Sequence, residues 1–233
     1  MKEYVINYTI TQELIPKIIH QMWIGPHKLP SKYIDTWRYD YIKKNPDWKY
    51  MFWTEKEIDE FNLVNKDIYD LETQYSGKSD IARYEILNRY GGIWIDADSV
   101  WLNNKSLNPL IENSKNEKMF GAIETNLTWL ANTIIGSTPN NNNLQFLIDE
   151  ISKMRGNYLN LRKEKMVWQL TGPLLFDKIR TLNRPIKIFP TNYFYPRHWQ
   201  GKQDLDNHKK LDLPKESFMY HYGITTNNLF NEY

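Results

Sequence analysis

The stretch Tyr90-Gly91-Gly92-Ile93-Trp94-Ile95-Asp96-Ala97-Asp98 constrains the fold more tightly than any other part of the chain. Paired glycines stop a helix, because the residue just past a helix end commonly turns left-handed, and glycine does so without steric cost. The helix they stop runs back through Tyr90, Ile86 and Ala82, four apart, to Ser76 or Ser79, either of which can cap it. Ile93-Trp94-Ile95 then reads as a short strand, since β-branched and aromatic residues suit a pleated, buried surface. Strand side chains alternate, so Asp96 and Asp98 project to one side, with Ala97 too small to obstruct the backbone. Two carboxylates converge at the carboxyl end of a buried strand.

Carboxylates held that close raise each other's pKa unless a cation lies between them, which favours a hard divalent ion such as Mg²⁺ or Mn²⁺ with places left for substrate phosphates. On the preceding helix Asp80 and Arg83 are three residues apart and share a face. Both pairs have a plain structural reading. An acid in a first helical turn complements the macrodipole, a surface Asp–Arg pair is worth little, and Asp-x-Asp often marks a solvated loop. Placement favours function for the second pair, because apolar groups, Ile93-Trp-Ile95 and Val100-Trp-Leu102, flank the acids on both sides. Two chemistries use Asp-x-Asp after a strand: nucleotide-sugar transfer, where the acids hold a metal, and phosphatases of the haloacid-dehalogenase type, where the first acid is a nucleophile.

The chain of 233 residues suits one domain with an N-terminal arm over 1–15 and a tail over 224–233, and a domain of that size buries about 70% of its unfolded surface. Hydrophobic content of 41% and charged content of 25% are globular values. A net charge of +2 gives no electrostatic case for nucleic acid. Absence of cysteine excludes disulfides and thiol chemistry and suits a reducing compartment. The first residues carry an acid and no apolar block, and no run approaches the roughly 18 apolar residues of a membrane span, so a cytoplasmic protein is expected.

In chain order, Lys17 to Gly25 reads as the first buried strand leading into a Gly-Pro loop. Trp23 falls at its carboxyl end, where open α/β sheets bind ligands, and its ring can stack on a base or pack in the core. Ser31 to Lys44 forms an amphipathic helix with Ile34, Trp37, Tyr41 and Arg38 along its inner side. Trp48 to Trp53 is a second strand, followed by a capping box at Thr54 and Glu57. The alternation argues for parallel βαβ units. Further strands are expected at Met119–Ile123, Trp129–Gly136, Ile186–Pro190 and Phe218–Gly223, and helices over Leu144–Met154 and from Thr171-Gly172-Pro173 to about Leu182. The polar segment 156–167 reads as mobile and the segment 200–216 as an exposed loop. His221 is a structural histidine or a third ligand beside the two acids.

Gly77-Lys78-Ser79 lacks the glycine five positions earlier, where Glu72 stands, and is no phosphate-binding loop. A phosphatase would carry its nucleophile strand near the start of the chain, whereas about 90 residues precede Asp96, and the late acids Asp204 and Asp206 lie in a polar loop.

Taken together, Ile15-Pro-Lys-Ile-Ile-His-Gln-Met-Trp-Ile-Gly25, Asn45-Pro-Asp-Trp48, Ser79-Asp-Ile-Ala-Arg-Tyr-Glu-Ile-Leu87, Tyr90 to Asp98, Asn132-x-x-Ile-Gly136, Thr171-Gly-Pro173 and Tyr193-Phe-Tyr-Pro196 resemble, in order, the motifs of glycosyltransferase family 32. The resemblance covers roughly residues 15–223. It implies a GT-A fold, a Rossmann-like α/β/α sandwich with a mostly parallel central sheet, and sugar transfer with retention. Its donor would be a UDP- or GDP-sugar, its cation Mn²⁺ or Mg²⁺, and its acceptor a glycan or other sugar acceptor. Around the donor site the chain is also similar to the large clostridial glucosylating toxins. By that similarity Trp23 would stack on the base, with Met22 and Gly25 beside it. Asp80 and Arg83 would bind the donor sugar, Asp96 would contact sugar and ribose, and Asp98 would ligate the metal with Asp96 and His221. The chain departs from the family after that histidine, where Thr225-Thr226 stands in place of a Ser-Trp pair, so the roles of Thr225 and Asn227 stay open. A non-catalytic nucleotide-sugar or glycan-binding protein is the alternative, against which the intact Asp80, Arg83, Asp96 and Asp98 argue.

Overall fold

The structure, a computed structural model, describes residues 14–102, 104–124, 127–197 and 212–224. The expected N-terminal arm and the loop over 200–216 fall largely outside these residues, and Thr225 and Asn227 wholly so.

Short runs, buried along nearly their whole length in the middle of the sheet, build a six-stranded sheet, whose strands are β1 (Ile18–Met22), β2 (Lys49–Trp53), β3 (Gly92–Ile95), β5 (Met119–Ile123), β6 (Leu130–Ser137) and β7 (Lys187–Phe189). Their order is β2-β1-β3-β6-β5-β7. A separate ribbon pairs β4 (Ser99–Trp101) antiparallel with β8 (Met219–His221). In the large sheet β6 alone runs against its neighbours, antiparallel to both β3 and β5, and the other pairings are parallel. The short link from β5 to β6 permits this reversal, since a parallel return needs a long crossover.

Alternation along the strands sorts the core into two layers. Met22, Trp94, Met119 and Ile135 face the helices Tyr75–Tyr90, Asn142–Ser152 and Pro173–Thr181. Ile19, Ile93, Ile95, Phe120 and Ile134 face the helical segment 31–44 and the helix Asn108–Asn113. The result is the expected α/β/α sandwich around a mostly parallel sheet.

Several local expectations hold. The segment 31–44 is continuously helical, although its middle, Thr36–Tyr41, widens to a π-helix. The capping box at Thr54 makes both of its bonds, with Thr54 N–H donating to Glu57 Oε2 at 2.9 Å. Gly91 and Gly92 take positive φ of 61° and 101° after the helix Tyr75–Tyr90. At Gly92 a side chain would also meet the Ile18 carbonyl oxygen at 2.7 Å, so this reversal admits only glycine.

Others are corrected. The helix before the glycines starts at Tyr75, so Ser76 and Ser79 lie inside it rather than capping it, and the Ser79 hydroxyl is used by Arg83 instead. Arg38 is half-exposed over the Tyr39 ring, and Tyr33 occupies the buried stripe with Ile34, Trp37 and Tyr41. The segment expected to be mobile holds the helix Tyr158–Glu164, fastened by Tyr158 and Arg162 to the buried carboxylate of Glu72, with Arg162 Nε to Glu72 Oε2 at 2.8 Å. That anchor comes from a residue 86 to 90 positions away, which polarity along the segment does not reveal.

Candidate active site

The site forms at the carboxyl edge of the sheet. Strand alternation sends Asp96 to the same layer as Trp94, where the helix Tyr75–Tyr90 packs, and Trp94 Nε1–H donates to Asp96 Oδ1 at 2.9 Å. The strand ends there. A turn follows, with Ser99 N–H donating to the Asp96 carbonyl at 3.1 Å, so Asp98 converges on Asp96 through the turn rather than by strand alternation. Asp98 then faces the β4–β8 ribbon, where its Oδ1 lies 3.2 Å from His221 Nε2 and its Oδ2 accepts the Ile224 N–H at 2.7 Å.

Arg83 links this corner to the helix. Its Nη2 lies 3.2 Å from Asp80 Oδ1 and 3.2 Å from Asp96 Oδ1, its Nη1 donates to the Asn132 carbonyl, and its guanidinium lies 5.1 Å from the Trp94 ring centroid. Asp80 is caged: Oδ1 accepts Asn132 Nδ2–H at 2.8 Å and Oδ2 accepts the Thr171 hydroxyl at 3.3 Å. Tyr84 closes the cage by donating to the Thr171 carbonyl at 2.9 Å.

Burial is the largest influence on these charges. It pushes Asp80 up to about 6, with Arg83 opposing and Asp96 adding. Burial also raises Asp96, against Arg83 and with Asp98. For Asp98 burial acts upward but is outweighed by His221 and the Ile224 N–H, leaving its carboxyl below the usual range. For His221 burial acts downward, yet the Asp98 charge and hydrogen bond lift it to about 9, with Glu124 and Asp96 assisting.

Asp96, Asp98 and His221 each offer one ligand atom, and these atoms lie within 4.8 Å of one another. Two carboxylates and an imidazole form a donor set that fits Mn²⁺ or Mg²⁺ with further places for oxygen ligands. The 23% exposure of the Asp96 side chain leaves it accessible, whereas Asp80 and Arg83 are nearly enclosed.

The remaining expected residues sit on the loop after β1. Trp23 is half-buried, and its indole N–H donates to the His27 carbonyl at 3.0 Å. Gly25, at φ 95°, gives its N–H to Glu55 Oε1 at 2.6 Å, and the Tyr75 ring packs where a side chain would stand. The Met22 side chain is buried in the core. The sequence reading gave no role to Asn132, Thr171, Tyr84, Gln21 and Glu124. Gln21 Nε2–H donates to the Asp96 carbonyl at 3.2 Å, and Glu124 follows β5 at the same sheet edge. Asn132 and Thr171 already stood in the motif series, which was the available signal.

Comparison with known proteins shows the family and the fold. The profile described as "Glycosyltransferase sugar-binding region containing DXD motif" matches residues 31–117. An uncharacterized glycosyltransferase of Acanthamoeba polyphaga mimivirus is 30% identical over 199 residues, 78% of this chain and 74% of the viral protein. Inositol phosphoceramide mannosyltransferase 3 of Schizosaccharomyces pombe is 34% identical over 110 residues, 45% of this chain but 29% of the yeast protein. A second S. pombe enzyme, inositol phosphoceramide mannosyltransferase 1, is 26% identical, and the chain spans 56% of its length. Among solved structures, PaToxG glycosyltransferase superposes with a TM-score of 0.57 at 22% identity, over 73% of this chain and 71% of that one. The fold is GT-A, and the chain belongs to the DXD-containing glycosyltransferases of family 32. Among the described residues no helix is long and apolar enough to cross a membrane.

Proposed function

We propose that the chain is a metal-dependent, retaining glycosyltransferase that moves a hexose from a UDP- or GDP-sugar to a glycan or other acceptor. The observation that carries this reading is the continuity of Asp80, Arg83, Asp96, Asp98 and His221 across one sheet edge, charge paired with charge from a buried helix to a three-donor cluster. The mannosyltransferase names of the yeast relatives make mannose the first donor sugar to assay.

Mn²⁺ or Mg²⁺ held by Asp96, Asp98 and His221 would supply Lewis-acid stabilisation of a departing diphosphate. The chain's own residues account for the rest. Arg83, fixed before substrate arrives, adds positive charge that needs no reorganisation as the leaving group forms. Asp80 orients donor-sugar hydroxyls, and Trp23 stacks on the base. The cage around Asp80 suits it to orientation rather than to attack, because Asn132, Thr171 and Arg83 engage both of its oxygens. Retention then follows from front-face attack. The acceptor oxygen bonds to the anomeric carbon as the carbon–phosphate oxygen bond breaks, and the acceptor proton passes to the departing phosphate oxygen. A sugar trapped covalently on Asp80 would refute this route.

The test is a thermal-shift panel of UDP- and GDP-hexoses with and without MnCl₂, followed by donor hydrolysis. Mn²⁺-dependent stabilisation together with turnover is expected. Stabilisation without any turnover would favour the binding-protein alternative.

A further inference from the structure

Trp129 and Trp168 stack against each other with ring centroids 5.9 Å apart and planes inclined by 18°. Trp129 is half-buried and Trp168 is 37% exposed. Their position follows from the reversed strand: Trp129 immediately precedes β6, so it stands at the same sheet edge where β3 ends in Asp96. Trp168 belongs to the short helix Val167–Leu170, directly before Thr171, whose hydroxyl donates to Asp80. Gly172 closes the distance further, since a methyl group there would lie 2.8 Å from Trp168 Cα and 3.0 Å from Asp80 Oδ2. A rigid, partly exposed aromatic face is therefore mounted on the backbone that packs against the caged acid. Trp23, the ring assigned to the base, sits on a different loop, after β1.

Resting on the transferase reading, we propose that the Trp129–Trp168 pair is the acceptor platform and that its occupant is a pyranose ring. One side of a pyranose presents polarised C–H groups, which pack on the negative face of an indole, while its hydroxyls remain free for the reaction. A stacked pair loses little conformational entropy on binding, because each ring is already held by the other.

The test uses methyl α-mannopyranoside and methyl β-glucopyranoside as acceptor probes with wild type, Trp168→Ala and Trp168→Phe. In the Ala variant acceptor KM should rise roughly three- to tenfold, the span expected for one lost aromatic contact, with donor KM unmoved and the Phe variant between. In wild type at least one glycoside should also quench tryptophan fluorescence, and that quenching should weaken in the Ala variant. An unchanged acceptor KM in Trp168→Ala, or failure of both glycosides either to accept sugar or to quench wild type, overturns the platform. Absence of donor hydrolysis in wild type would instead bring down the transferase reading itself.

Discussion

Arg83, on the helix Tyr75–Tyr90, reaches Asp96 at the tip of β3, with Nη2 3.2 Å from Oδ1. The same nitrogen lies 3.2 Å from Asp80, so one guanidinium holds a buried acid and an accessible one in register. A lysine ammonium cannot reproduce this, because it lacks the planar fork that also reaches the Asn132 carbonyl and stacks on Trp94. Arg83→Lys is expected to lower kcat/KM for transfer about 100-fold or more. Arg83→Ala is expected to cost about 3–5 kcal/mol of stability as well, by leaving the buried Asp80 carboxylate without its counter-charge. Steady-state kinetics and urea unfolding check the two effects separately.

The donor cluster gives an ion-removal prediction. Asp98→Asn preserves the shape of the side chain and one acceptor for the Ile224 N–H, but loses the charge that a divalent ion requires. It should still unfold cooperatively, at a lower midpoint because His221 loses its charged partner, and show none of the thermal stabilisation by Mn²⁺ plus donor expected of wild type. A normal Mn²⁺ response would remove Asp98 from the metal site.

His20 sets a pH dependence unrelated to that cluster. It is fully buried between two fixed partners: its Nε2–H donates to the Gly91 carbonyl at 2.9 Å and its Nδ1 accepts from Trp53 Nε1 at 3.2 Å. Protonating Nδ1 would set two N–H groups against each other, and burial holds the ring down to about 4 from its ordinary 6.5. The unfolded chain takes up this proton near 6.5 and the folded chain only near 4, so stability is full above 6.5 and declines as pH falls between those values. At pH 5 the decline should be about 2 kcal/mol. His20→Gln, though less stable, should lack this component, so the difference between the two unfolding curves should shrink by that amount from pH 7 to pH 5.

Gly172 tests the cage. A methyl group there meets backbone at Trp168 and the Asp80 carboxylate together, so neither a rotamer change nor a single side chain can absorb it. Gly172→Ala should destabilise by about 1–3 kcal/mol and lower kcat while donor still binds. Equal activity at wild-type stability would show that the position of Asp80 is not critical.

Trp23→Ala should raise donor KM more than it lowers kcat, because stacking on a base contributes equally to ground and transition states. An unchanged donor KM would return Trp23 to a packing role.

What could be read from the sequence were the parts whose cause is local. Gly91-Gly92 announced the reversal because the backbone there needs positive φ, and the strand into Asp96 followed from its apolar run. The pairing of acids was legible, although their convergence depends on a turn. The cage was legible only in its members: Asn132 and Thr171 stood in the motif series, but nothing there says that they meet Asp80 from 52 and 91 positions away. The helix Tyr158–Glu164 was missed for the same reason, with Glu72 as its distant anchor. The π-helical stretch Thr36–Tyr41 also hides in sequence, because its buried residues keep ordinary helical spacing while Thr36 Oγ1 accepts the Trp101 N–H across the fold.

Asp98 Oδ2 accepts the Ile224 amide across 126 positions, while Oδ1 of the same carboxylate lies 3.2 Å from His221 Nε2 within the donor cluster. Loading the cluster with a cation therefore acts on the clasp that fastens the end of the β4–β8 ribbon, and amide hydrogen exchange at Ile224 becomes a catalysis-free gauge of occupancy. The ribbon's end is in this sense wired to the donor cluster, so titrating Mn²⁺ against that one exchange rate tests whether the cluster holds the ion, without any substrate at all.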